Sequence, residues 1–538
     1  MERMDAKTRV LVIGLDGATF EIIRPMVKGG KLPNFARLMR EGSFGPLKSS
    51  MPPITPCAWT NFATGKNPSK HGIYDLEFYK SDPEKGKIIN RTFVMAKPLW
   101  KLLTEAGKRS VVIDVPFTYP PEEINGVLIA RVMAPSKKNC TYPKTLYYKL
   151  LRSGFIRKSE KEIAADPVRI NKKKLKAIVH DRIKASFREM CEEIDKNIKL
   201  ASFLMKKEPW DFFMIVFMEA DHAGHGFWHH QAKMRKIYEK LDEAVGKLFE
   251  LAGPNTIKFI ISDHGFTSLS YVFNIDEWLR EKGLLVKKID IPSRESMKEL
   301  KVFLRKVKSG ENKPDDKLTK FRYRIKTDFS KSKAYLQSGT SFGIRINLEG
   351  RDRAGAVKKE EYNRFRDKLI KELREIKHPL TGRNVFSRIL KKEEAYPGSP
   401  SCIGPGPDIF LLTPQMKMVT GLPLMEKQEV FKRTVKRCGT HHTEGIFFAF
   451  GEGIKKLPPD FPKITDLAPT ILHTLGIPIP KDMDGRVLRE IFEPESVYAM
   501  NKVRYQGSSA IKKEEKAYSK KEEREIRNRL AALGYIET

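Results

Sequence analysis

Eleven histidines are present, and seven of them crowd into three short segments. These are Asp221-His222-Ala-Gly-His225 with His229 and His230 just after it, Ser262-Asp263-His264-Gly265, and Gly439-Thr440-His441-His442. In the first an Asp precedes a His by four residues, and in the second they are adjacent. A further acid, Asp16, closes the apolar run that starts at Val10. Carboxylate oxygen and imidazole nitrogen together are the donors that zinc accepts. Each segment follows or adjoins a run that reads as a buried strand, and open α/β sheets place ligands at the carboxyl ends of their strands. Taken singly, an Asp at a strand end more often caps a helix or forms a turn. Recurrence of acids and histidines in one topological position points instead to a metal, because a metal needs convergent ligands and caps do not.

A second constellation is Met51-Pro-Pro-Ile-Thr55-Pro-Cys-Ala-Trp-Thr60-Asn-Phe-Ala-Thr64-Gly65. Pro56 predicts a helix start, with Thr55 just before it at the positive end of the helix dipole. The plain role of such a Thr is to cap the helix. An ordinary Thr hydroxyl is a poor nucleophile that needs a base or a metal. Beside a divalent ion, whose field depresses the pKa of bound oxygen, it would qualify.

These residues must be held by a scaffold, and the 538-residue chain is long enough for a large core with insertions. With 40% hydrophobic residues it is not disordered despite a formal charge of +34. Short apolar runs alternate with helical patterns, which predicts an α/β fold: a doubly wound, mainly parallel sheet. The runs are 10–15, 110–114, 212–217, 258–262, 409–412 and 446–450, each readable as a buried central strand. A helix is expected from Pro33 to Glu41, ended by Gly42 in a left-handed conformation. The catalytic core is expected at 1–283 and 402–493, with a basic helical insertion at about 142–207 and an inserted cap at 284–401. Residues 494–538 read as a charged, exposed helical appendage.

No apolar run approaches the roughly 18 to 20 residues of a membrane helix. Asp16 interrupts the first run too early for a secretory signal. The five cysteines, Cys57, Cys140, Cys191, Cys402 and Cys438, are scattered and form no CxxC pair. That argues against a disulfide framework or a zinc-thiolate site and points to a reducing cytoplasm. Within 286–335 sixteen Lys/Arg face seven Asp/Glu, interleaved with Phe303, Phe321, Tyr323 and Phe329. Such charge could steer an anionic substrate, bind nucleic acid, or be a solvated face.

The order and spacing resemble the alkaline phosphatase superfamily, specifically its type I phosphodiesterase/nucleotide pyrophosphatase branch. The matching stretches are Val12-Ile-Gly-Leu-Asp16-Gly, the Thr55 segment running on to His71-Gly-Ile73, Asp221-xxx-His225, Asp263-His264-Gly265 and Gly439-Thr-His441. Thr465-Asp-Leu-Ala-Pro-Thr-Ile-Leu472 with Asp484-Gly485 follows. The resemblance implies an alkaline-phosphatase-like core and two divalent ions, zinc or manganese. One would be held by Asp16, Thr55, Asp263 and His264, the other by Asp221, His225 and His441, with Thr55 as nucleophile; His441 rather than His442 stands four residues before Gly445. It implies hydrolysis of an anionic phosphodiester or nucleotide pyrophosphate. A phosphomonoesterase or phosphotransferase on the same scaffold is the alternative, and a nucleic-acid-binding protein with a structural metal site is the rival from another class. Where the family carries an Asn shortly after His-Gly-Ile, this chain continues Tyr74-Asp75-Leu76.

Overall fold

The computed structural model describes residues 8–79, 81–82, 86–155, 172–290, 302, 305, 324–338, 340–398, 406–413, 416–419, 429–433, 439–511 and 518–532. Its centre is the strand Arg9–Leu15, which pairs in parallel with Phe212–Phe217 on one side and Thr256–Ile261 on the other. With neighbours on both edges and helices on both faces, such a strand must be apolar throughout rather than alternating. Successive side chains still point to opposite faces. Leu11 and Ile13 enter one apolar layer with Ile237 and Leu241 of the helix Gln231–Ala252. Val10 and Val12 enter the other, with Trp59, Phe62 and Ile471.

The full sheet has eight strands in the order Ser43–Lys48, Glu444–Phe450, Thr256–Ile261, Arg9–Leu15, Phe212–Phe217, Ser110–Ile113, Gly126–Ile129 and Thr141–Tyr142. The inner five are parallel, whereas Glu444–Phe450 and Thr141–Tyr142 run antiparallel to their inner neighbours. The expected α/β fold with a mainly parallel, doubly wound sheet is therefore observed. Among the described residues no helix is long and apolar enough to cross a membrane.

Four expectations are corrected. The run Ile409–Leu412 is a buried strand but not a central one. It belongs to a four-stranded antiparallel sheet with Ala334–Leu336, Gly343–Ile346 and Arg388–Lys391, backed by the helix Tyr362–Arg374. Four apolar residues read alike in any buried sheet, and only the pairing partner decides which. This second module has its own apolar cluster, which includes Trp278 and Leu279 and so begins before residue 284.

Gly42 ends the helix Pro33–Glu41 in an extended conformation (φ −121°, ψ −177°), not a left-handed one. The chain enters a strand at once, and a Cβ at Gly42 would lie 2.5 Å from the Ala449 carbonyl oxygen. Close approach, not positive φ, requires glycine here.

The helix Lys520–Ala532 is not an exposed appendage. Ile526 and Leu530, one turn apart, are buried with Ile73, Leu76, Phe93 and Phe117. Of the interleaved aromatics, Phe329 packs edge-on to Tyr335 inside the second module; Phe303, Phe321 and Tyr323 lie outside the described residues. Elsewhere, the helical insertion appears as Lys144–Arg152 and Lys172–Lys207, and Ile194, Ile198, Ala201 and Leu204 of the latter join the core. Cys57 and Cys140 are buried, and Cys191 is half-buried; Cys402 and Cys438 lie outside the described residues.

Gly42→Ala should destabilise the protein by about 1–3 kcal/mol, since the methyl group forces two elements apart. A urea midpoint equal to wild type would contradict this.

Candidate active site

Three neighbouring parallel strands deliver the acids. Asp16 directly follows Arg9–Leu15, Asp263 and His264 follow Thr256–Ile261, and Asp221 lies in the first turn of the helix Glu219–Phe227 after Phe212–Phe217. The Asp16 amide still donates to the Phe217 carbonyl, so the sheet ladder sets its height (2.8 Å). Gly17 then turns the chain at φ +69°, and a Cβ there would lie 2.9 Å from Asp221 Cα, so a side chain would push the acids apart. His441 arrives from the strand Gly439–His442, which pairs antiparallel with Gly265–Ser268 and sets His441 opposite Phe266.

The side chains converge. His264 Nε2 lies 3.3 Å from Asp263 Oδ2, 3.7 Å from Asp16 Oδ1 and 3.9 Å from Asp221 Oδ1. Asp221 Oδ1 is 3.4 Å from His225 Nε2 and 3.2 Å from His441 Nε2, and those two nitrogens are 3.0 Å apart. Thr55 Oγ1 lies 3.5 Å from His264 Nε2. The helix is Thr55–Thr64 with Ile54 at its cap, so Thr55 is the first helical residue and its hydroxyl is not spent on capping. Its N-cap role is thereby excluded.

Electrostatics sets this cluster apart from a structural one. Asp16, Asp221, Asp263 and His264 are fully buried. Burial, reinforced by repulsion from the neighbouring acids, raises the Asp16 and Asp263 carboxyls well above the usual range. Burial also opposes the Asp221 charge, but His225 and His441 outweigh it and hold that carboxyl low. Burial above all lowers His264, so its ring is neutral. His264 Nδ1 lies 3.1 Å from the Gly265 carbonyl and His441 Nδ1 3.0 Å from that of Pro53. A carbonyl only accepts, so each Nδ1 carries the proton and each Nε2 presents its lone pair to the cluster. Among the described residues two sets have the spacing to hold an ion: Asp221, His225 and His441, and Asp16, Asp221 and His264.

A family model described as type I phosphodiesterase / nucleotide pyrophosphatase matches residues 10–402. The chain belongs to this family, within the alkaline phosphatase superfamily. A phosphonoacetate hydrolase from Sinorhizobium meliloti 1021 has a similar fold: TM-score 0.52, 14% identity, covering 87% of this chain and 95% of that one. The alkaline phosphatase PafA is also similar, with TM-score 0.51, 16% identity and coverage of 90% and 99%. Comparison with the curated proteins finds no match. As a member of the type I phosphodiesterase family the chain is a phosphoester hydrolase, and its buried Asp/His groups are compatible with metal ions.

This phosphodiesterase-family site fits a divalent cation on its own terms. Asp16 Oδ1 and Asp263 Oδ2 are buried without a hydrogen-bond donor among the described residues. A buried acceptor left unsatisfied costs about 1–3 kcal/mol, more for a charged group, and a cation removes that cost. The other carboxylate oxygens are held: Trp59 Nε1 donates to Asp16 Oδ2 at 2.7 Å, and the Gly17 amide to Asp263 Oδ1 at 3.1 Å.

Trp59 was not singled out from sequence, although it lies four residues after Thr55, one helical turn on the same face. His71 packs its ring nitrogen 2.7 Å from the Asn61 side chain, fixing the Thr55 helix to the loop that follows it. Arg131, held by Asp114, Glu193 and Asn197 near the site, left no signal in sequence because its partners are far along the chain. His442 does not join the cluster; its Nδ1 accepts from the Glu444 amide (3.3 Å). His229 and His230 are exposed, and His222 lines an adjoining cavity.

Chelation should lower the melting temperature, and restoring Zn²⁺ or Mn²⁺ should raise it, because an ion bound by the native state alone stabilises by about 2.7 kcal/mol at a hundredfold excess over Kd. A melting temperature indifferent to both treatments would contradict the fit.

Proposed function

We propose that the chain hydrolyses phosphodiesters or nucleotide pyrophosphates through Thr55, with Asp16, Thr55, Asp263 and His264 holding one divalent ion and Asp221, His225 and His441 a second. The observation that carries this reading is the Thr55 hydroxyl, uncapped and 3.5 Å from His264 Nε2, at the edge of a buried cluster of three acids and three histidines. Zinc is the ion we propose and manganese its alternative, both accepting oxygen and imidazole donors. When bound, two such ions supply the charge that depresses a hydroxyl pKa and stabilises attacking and leaving oxygens together.

The chain's own residues do the rest. The helix Thr55–Thr64 aims its first residue, and its positive end, at the phosphoryl group. Thr55 Oγ gives up its proton to water and attacks phosphorus, the bond to the leaving oxygen breaks, and the departing group takes a proton back from water. A second water then attacks the phospho-threonine, releasing phosphate or its monoester and restoring the hydroxyl. Trp59 and the Gly17 amide hold Asp16 and Asp263 throughout, so the site need not reorganise between steps.

Leu76 favours a second reading on the same scaffold. It lines the cavity beside Thr55, where the family resemblance implies an Asn that stabilises phosphoryl oxygens. A monoesterase using Thr55 in the same way accommodates that difference. The net charge of +34 supports steering of an anionic substrate in either case. We place the activity in the cytoplasm, on the evidence of the scattered cysteines.

Activity on bis(p-nitrophenyl) phosphate and p-nitrophenyl phosphate, with Zn²⁺ or Mn²⁺ restored after chelation, separates the two readings. Failure on both esters, with salt-sensitive nucleic-acid binding, would overturn both. Thr55→Ala should abolish turnover at near-normal metal content, and full activity would remove Thr55 as nucleophile. Asp263→Ala should lower metal occupancy and rate together; an unchanged metal count would end its assignment.

A further inference from the structure

Beside Thr55 lies a cavity of about 230 Å³, open on one side. Its walls are Leu76, Phe117, Met133 and Met218 from the core, with Ile526 and Leu530 from the C-terminal helix, and Thr55 and His441 line it too. Ile526 and Leu530 share one face of their helix, four residues apart, and are 1% and 4% exposed. A segment almost 500 residues from Thr55 along the chain thus completes the wall next to it.

Besides Thr55, His441 and His222, three polar side chains line this wall, and each directs at least one hydrogen bond away from it. Arg131 is held by Asp114, Glu193 and Asn197. Arg529 Nη2 donates to the Ala134 carbonyl at 2.9 Å, and Thr340 Oγ1 to Asp75 Oδ1 at 2.5 Å. A nucleobase pushed into this space would lose water from its amide edge and gain little in exchange. An alkyl or aryl group would lose nothing. An engineered apolar cavity of about 150 Å³ accepts benzene, so the space suits one ring or a short alkyl chain.

We propose that the helix Lys520–Ala532 is a specificity element, completing an apolar subsite that receives an alkyl or aryl substituent of the phosphoester. This inference rests on Thr55 being the point of attack, as proposed above. It narrows the substrate to esters carrying an apolar group close to phosphorus, and it ranks nucleoside esters below them.

The test uses the full chain and p-nitrophenyl phosphodiesters that differ only in their second substituent, methyl, hexyl or thymidine 5′. A common leaving group keeps the chemical step comparable. If diesters are not cleaved, methyl, hexyl and thymidine 5′ monophosphates serve, each releasing an aliphatic alcohol. The hexyl ester should exceed the methyl ester about tenfold in kcat/KM, the scale of discrimination in an apolar pocket, and should exceed the thymidine ester too. Leu530→Ser, which makes the wall polar, and Leu530→Trp, which fills the space, should each collapse the hexyl-to-methyl ratio toward one. A general folding defect would depress both esters together and keep the ratio. A wild-type ratio near one, a preferred thymidine ester, or a ratio retained in the variants would overturn the subsite while leaving the hydrolase reading intact. Turnover of none of these esters would instead overturn the hydrolase reading, and this inference with it.

Discussion

Three carboxylates sealed from water within one small volume cannot all carry charge without compensation, and the rest of this molecule is arranged around that fact. Asp16, Asp221 and Asp263 sit at the ends of adjacent strands because the sheet puts them there, and every strand on which they rest is covered on both faces. The two histidines of the Asp221 side, His225 and His441, bring their Nε2 atoms to 3.4 and 3.2 Å from that acid. Asp16 and Asp263 have an indole and a backbone amide, respectively, for one oxygen and, among the described residues, no donor for the other. In a dry site such a deficit costs far more than it would in water. A cation is the simplest remedy, and the lone pairs of His264 and His441 already face inward to share it.

Rigidity follows from the same arrangement. The imidazoles are tied through Nδ1 to backbone carbonyls, and the Thr55 helix is tied through Trp59 to Asp16 and through Asn61 to His71. None of these ties involves a long, mobile side chain. The second module adds its own connections to the loops that flank the site: Tyr396 donates to the Met51 carbonyl, and Ser338 and Thr340 to Asp75. The C-terminal helix closes the same neighbourhood from another direction. The acids occupy the floor of the site, and sequence-distant elements build its walls.

Much of this was legible in the sequence because the relevant signals are local. Continuous apolar runs such as 212–217 predict strands covered on both faces, and they are so covered. An acid or Asp-His pair directly after such a run has its height fixed by the strand, which is why Asp16, Asp263 and His264 could be placed together before any coordinates. The failures are equally physical. Ile409–Leu412 has the composition of a central strand but pairs elsewhere. The strand Ser43–Lys48, with Gly45 and Pro46, carries no strand signature and is held at the sheet edge by Glu444–Phe450. Charge made the C-terminal helix look solvated, although two apolar residues on one face were enough to dock it.

Residue type and short-range spacing specify chemistry and periodicity, so the candidate donors, the apolar strands that carry them and the membership of a phosphoester hydrolase family could be read from the chain alone. The tertiary fold set His441 in the cluster and left His442 outside it, released Thr55 from a capping role, recruited Trp59, and brought Ile526 and Leu530 against the loop that carries Leu76. Each of those outcomes depends on strand register, helix phase or long-range packing, and such quantities are set by the balance of the whole core rather than by any short stretch of chain.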